Sequence, residues 1–162
     1  MAIFKDYLEN KSPLILHGAL GTEMESLGYD ISGKLWSAKY LLEKPEVIQK
    51  IHETYVAAGS DLITTSSYQA TLPGLIDAGL TKEEAEQIIA LTVQLAKNAR
   101  DKVWTTLDET EKAKRPYPLI SGDVGPYAAY LANGSEYTGD YGQITIKELK
   151  EFHRPRIQIL LD

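Results

Sequence analysis

The chain has 162 residues, 43% of them hydrophobic and 25% charged, the composition of an ordinary globular domain with a core of its own. Its net charge of −6 excludes the basic face that a nucleic-acid footprint needs. No apolar run approaches the roughly 20 residues of a membrane span, and the acidic first ten residues lack the apolar stretch of a secretory leader.

The absence of cysteine removes both a disulfide framework and thiolate metal ligands, and a cytoplasmic protein is the plain reading. In that compartment the sequon Asn133-Gly134-Ser135 is idle.

In chain order, an amphipathic segment around Phe4, Tyr7 and Leu8 comes first and can cap one end of the fold. Leu14-Ile15-Leu16 reads as a buried strand ending in the glycine-flanked turn His17-Gly18-Ala19-Leu20-Gly21. Pro45-Glu46 suits a first helical turn, since proline is pre-set in φ and glutamate meets the positive end of the helix dipole. Val47, Ile48, Ile51, Tyr55 and Ala58 continue that helix as an apolar stripe, and Gly59 ends it.

Asp61-Leu62-Ile63-Thr64-Thr65 is the second strand, rich in β-branched residues. The pair Thr81 and Glu84 predicts a capping box opening a helix whose apolar face runs from Ala85 to Val103. Pro118-Leu119-Ile120-Ser121 is the third strand, and it runs into Gly122-Asp123-Val124-Gly125. Residues 122–143 then form a long Gly- and Tyr-rich segment, and loops of that length inside a domain are usually functional or disordered. A second capping box, Thr145 and Glu148, opens the last helix, in which Pro155 must produce a kink or a restart. Ile146, Leu149 and Phe152, then Ile157, Leu160 and Leu161, mark its apolar face.

The order is βαβαβα, with crossovers suited to a parallel sheet in an α/β fold. Three such units leave two bare strand edges, and no strand follows the last helix. The sequence therefore reads as part of one larger domain, with self-association expected across the open side.

Three groups of residues are candidates for chemistry. The first turn brings backbone amides to a strand's C-terminal end, where α/β proteins bind ligands. Its glycines fit a plain turn equally well, and they match neither a dinucleotide fingerprint nor a phosphate loop. Ser66, Tyr68 and Gln69 follow the second strand and can orient a polar ligand or simply start a loop. Tyr127, Tyr130, Tyr137 and Tyr141 offer aromatic faces to a cation such as a sulfonium, or pack a long loop. His17, His52 and His153 are scattered along the chain, make no metal site, and the latter two are expected to be structural or solvated.

Taken together, these segments resemble the homocysteine S-methyltransferase family. The resemblance runs through Gly18-Ala19-Leu20-Gly21-Thr22-Glu23, Leu35-Trp36-Ser37-Ala38, Pro45-Glu46 and Ser66 with Tyr68-Gln69-Ala70. It continues through Gly125-Pro126-Tyr127, Ala129-Tyr130-Leu131, Gly134-Ser135-Glu136-Tyr137, Gly139-Asp140-Tyr141 and Phe152-His153-Arg154-Pro155-Arg156. Trp36 and the tyrosine motifs are most similar to the branch that uses S-methylmethionine or S-adenosylmethionine.

The resemblance implies a partial TIM (βα)8 barrel, with residues 1–162 supplying its first three βα units. It also implies a zinc ion, held by cysteines of the C-terminal half, that presents the homocysteine thiolate to a sulfonium methyl and so gives methionine. With none of those cysteines present, this chain is expected to hold neither metal nor catalytic residue and to be inactive alone. The alternative is a non-catalytic half-barrel serving as a binding or assembly module. Carried over by position, His17, Gly18, Ala19, Leu20, Gly21 and Thr22 face the amino-acid end of homocysteine. Trp36, Ser66, Tyr68 and Gln69 line the pocket, and Tyr127 and Tyr130 stand near the methyl donor. The family pattern has Asp at the position of His17, and a histidine does not replace that anion.

Overall fold

Parallel pairing of three chain segments organises the protein, seen here in a computed structural model that describes residues 5, 7, 9, 13–33 and 35–162. Strand β1 (Leu62–Thr64) lies parallel to β2 (Leu119–Ser121), with Leu62 opposite Leu119, Ile63 opposite Ile120 and Thr64 opposite Ser121. On the other side of β1, Leu16 forms an isolated parallel bridge to Leu62. The three segments thus lie side by side in chain order.

The first segment is a bridge and not the expected strand, for a visible reason. His17 N–H donates to Leu62 O (2.9 Å) and Asp61 N–H to Ile15 O (2.8 Å), but Ile15 N–H is taken by the carboxylate of Asp61 at 2.9 Å. Pro13 before it has no donor and Gly18 turns the chain just after, so the ladder closes at a single residue.

Between Leu16 and β1 lie α1 (Leu20–Ser26), a 3-10 turn (Trp36–Lys39), α2 (Tyr40–Glu43) and α3 (Pro45–Ala57). Between β1 and β2 lie α4 (Leu72–Asp77), α5 (Lys82–Thr106) and α6 (Glu109–Lys112). The Thr81–Glu84 capping box is present: Thr81 Oγ1 accepts from Glu84 N–H at 3.2 Å while the Glu84 carboxylate accepts from Thr81 N–H at 2.8 Å. Helices α3 and α5 pack on each other, and Met24, Leu41, Ile48, Ile51, Leu75 and Ile89 form the main core with α1, α2 and α4. A smaller cluster of Val56, Ile63 and Ala96, flanked by Val103 and Ile120, seats the two strands on α5. Buried Glu53 of α3 ties the helices together through Lys102 of α5, at 2.9 and 3.0 Å.

The segment after β2 is more regular than its composition predicts: it holds α7 (Tyr127–Leu131) and α8 (Ser135–Thr138). The last helix, α9 (Ile146–Leu161), begins at the expected Thr145–Glu148 capping box and continues through Pro155 without a restart. Its inward face also differs from the predicted one. Arg156 is buried and Phe152 and Leu160 half-buried, whereas Ile146, Ile157 and Leu161 are exposed. Of the N-terminal segment, Tyr7 is buried and donates its hydroxyl to Asp61 O at 3.2 Å, while Phe4 and Leu8 lie outside the described residues. Among the described residues no helix is long and apolar enough to cross a membrane.

Candidate functional site

The C-terminal ends of the three parallel segments open into one cleft of about 810 Å³. From the first segment come His17, Gly18 and Ala19, and Leu20, Gly21 and Thr22 follow in the opening turn of α1, so the predicted turn is shorter than expected. Trp36 and Ser37 enter from the 3-10 turn, Thr64, Thr65, Ser66, Tyr68 and Gln69 from the end of β1, and Asp123 from the end of β2. Strands that all point the same way deliver their following loops to one face, which is why residues distant in sequence meet here.

Tyr127 and Tyr130 lie outside this cleft. They form an aromatic cluster with Phe152 of α9, with ring centroids 5.0 Å apart for Tyr127–Phe152 and 5.4 Å for Tyr130–Phe152. The Tyr130 hydroxyl donates to Asp77 at 3.1 Å and its ring borders a small cavity of about 180 Å³. Gln69 lines both that cavity and the main cleft, so the two adjoin.

His17 is buried and paired to His52, a residue expected to be structural or solvated. Its Nε2 lies 2.8 Å from Nδ1 of His52, which α3 carries fully buried into the wall of the cleft. Burial pushes both imidazoles well below the ordinary histidine value, and for His52 the neighbouring His17 adds to the shift. Two neutral rings satisfy such a contact, one donating N–H and the other accepting. Thr64 Oγ1 stands 3.4 Å from the other nitrogen of His17. The start of the cleft is therefore a neutral imidazole pair.

Among the described residues, two buried polar atoms of the cleft have no hydrogen-bond partner: Ser66 Oγ and His52 Nε2. A buried, unsatisfied hydroxyl costs about 1–3 kcal/mol, and such exceptions concentrate where a ligand completes the bonding. Trp36 is a further departure from the folding optimum, with φ +47° and 47% of its surface exposed at the cleft. Tyr68 donates its hydroxyl to Glu136 of α8; burial and that carboxylate push the phenol up to about 12.

The loops that form the cleft are locked from behind by Arg156. This buried guanidinium donates to Ser67 O (3.2 Å), Tyr68 O (3.0 Å) and Gly125 O (2.5 Å), tying the end of β1 to the end of β2. Gly125 is required there, since a Cβ would lie 2.3 Å from Tyr68 O. A hydroxyl relay repeats the tie: Asp123 N–H donates to Thr65 Oγ1 (2.8 Å), which lies 2.6 Å from Ser67 Oγ, and Ser67 donates to Asp123 O at 2.6 Å. Arg156 had a signal in the sequence, a charged residue in register with Leu149, Phe152 and Leu160 on one helical face. His52 had one as well, four residues after Ile48 and three before Tyr55 on the apolar stripe of α3, whereas Asp123 had none before the loops were placed.

Among the described residues no three His, Cys, Asp or Glu side chains gather as a metal ion needs, and the chain contains no cysteine. The residues present do not fit a zinc centre.

Residues 14–162 match the family model described as homocysteine S-methyltransferase. The chain is 46% identical over 149 residues to homocysteine S-methyltransferase YbgG of Bacillus subtilis, covering 92% of this chain and 46% of that protein. It is 40% identical over 163 residues to homocysteine S-methyltransferase 1 of Brassica oleracea, covering 99% and 50%. The fold is similar to that of the metallated homocysteine methyltransferase MmuM from Escherichia coli, with a TM-score of 0.83 at 41% identity, covering 96% of this chain and 52% of that one. The chain spans about half the length of these relatives.

Proposed function

The chain belongs to the homocysteine S-methyltransferase family, and from that premise we propose that it is the N-terminal part of a (βα)8 barrel that methylates homocysteine from a sulfonium donor, S-methylmethionine or S-adenosylmethionine. The observation that carries this reading is the cleft at the strand ends, where the first turn, Trp36 and the Ser66–Gln69 segment converge. Bare apolar surface on both flanks of the parallel array supports the continuation of the barrel. Ile15 and Leu16 are exposed on one side, and Val124, Leu149 and Ile157 line an open groove on the other.

In this reading the chain binds and orients substrate and supplies no catalytic group. Ser66 Oγ offers a hydrogen bond to the amino-acid end of homocysteine, and Trp36 covers the cleft mouth. The tyrosine cluster stands beyond Gln69, toward the donor. The zinc expected of the full-length protein takes its ligands from the portion outside this chain, since this chain has no cysteine and its described residues hold no cluster of ligands. The protein works in the cytoplasm without nucleic-acid or membrane partners, and copies of this portion alone associate through the open barrel side.

The test is a methionine assay with homocysteine and each sulfonium donor. The full-length protein should form methionine with stoichiometric zinc bound. The 162-residue chain should form none and should sediment as a dimer or larger species. Methionine produced by the short chain alone would overturn this assignment of roles.

A further inference from the structure

An amino-acid substrate brings an ammonium into this cleft, and a desolvated cation needs an anionic partner. The strand-one end cannot supply one, because His17 is held neutral against His52. Among the described residues, the carboxylates that line the cleft are those of Glu25 and Asp123. Glu25 lies on the exposed face of α1. Asp123 is half-buried at the end of β2, and its backbone is fixed at both N–H and C=O by Thr65 and Ser67. Among the described residues no donor is hydrogen-bonded to its carboxylate, and burial pushes its pKa up while the guanidinium of Arg156 pulls it back. A fixed main chain with a carboxylate that takes no hydrogen bond among the described residues is, in a cleft, the arrangement of a preorganised cation acceptor. Ser66, 8% exposed, lines the same cleft, and among the described residues its Oγ has no partner.

We propose that Asp123 is the anionic partner of the homocysteine α-ammonium, with Ser66 Oγ as a second acceptor beside it. This rests on the homocysteine reading of the cleft. Asp123 thereby sets specificity for an α-amino thiol over a thiol carboxylate without the amino group. Within this portion of the site the negative charge comes from the end of β2, while the neutral imidazole pair closes the end of the first segment.

The test is calorimetric titration of the full-length protein with homocysteine and with 4-mercaptobutanoate, which lacks only the amino group. Asp123→Asn should weaken homocysteine binding roughly 10- to 100-fold, the size of one charge-assisted hydrogen bond, and leave 4-mercaptobutanoate unchanged. Because Thr65 and Ser67 bond the backbone at position 123, the loop should hold in this variant. Asp123→Ser serves as the second variant and should behave alike. In steady state the KM for homocysteine should rise while the KM for the sulfonium donor stays. Equal losses for both thiols, a loss confined to the donor, or no loss at all would overturn the assignment of Asp123. An unsubstituted protein that binds neither thiol would instead overturn the homocysteine reading beneath it.

Discussion

Replacing Arg156 tests whether the cleft is held from behind as its geometry indicates. Arg156→Ala removes three charged donors from Ser67 O, Tyr68 O and Gly125 O and leaves a void where a buried side chain stood, 1% exposed. At about 1.5 kcal/mol for each charge-assisted bond, the lower end of the range, the loss comes to about 4.5 kcal/mol. Relief of the guanidinium's own desolvation, which already depresses its pKa, returns part of this, and about 3 kcal/mol remains. For a domain of this size that is roughly 6–12 °C in Tm. Arg156→Lys should recover less than half, because one ammonium is a point charge and cannot reach three carbonyls held in a planar fork. Urea and thermal melts of the three proteins measure this directly. An alanine variant within about 1 kcal/mol of the parent would refute the reasoning, since the carbonyls would then be satisfied by other means. So would a lysine variant of full stability.

Two glycines should respond differently to the same change. Gly125→Ala drives a Cβ to 2.3 Å from the backbone oxygen of Tyr68, whereas Gly18→Ala meets only the far end of the Tyr55 ring at 2.4 Å. Melts should therefore show a loss above roughly 2 kcal/mol for the first and a small one for the second, whose ring can swing away; equal losses would show that the Tyr55 ring is locked. The histidine pair predicts a pH dependence. Each imidazole has a depressed pKa in the folded protein, so unfolding takes up protons once the pH is below about 6.5, the unfolded value. Stability is then fully present above that pH and falls as the pH drops toward the folded values, by up to about 1.4 kcal/mol per pH unit for each ring. His52→Gln should make the slope of urea midpoint against pH shallower over this window, and an unchanged slope would mean that the rings are not held neutral.

Much of the local structure was legible in the sequence because it is decided by neighbours along the chain. The capping boxes at Thr81 and Thr145, and Pro45 at the first turn of α3, are contacts within one helical turn. The apolar runs at β1 and β2 were legible for the same reason, as was the α/β order. The cleft residues from His17 to Thr22 and Ser66, Tyr68 and Gln69 were also within reach, because each group directly follows an apolar run and parallel strands end on one face. What the chain could not disclose locally depends on which groups meet across it. Ile15 loses its ladder partner to the carboxylate of Asp61, 46 residues away, which reduces a predicted strand to one bridge. Tyr127 and Tyr130 turn to Phe152 of α9 and stay outside the main cleft. Arg156 points inward because it finds three carbonyls at the strand ends, and Ile157 and Leu161 are exposed as a result. Periodicity tells which residues share a face, but only the tertiary structure decides where that face is buried, because burial of a charge depends on the partners that other segments bring to it.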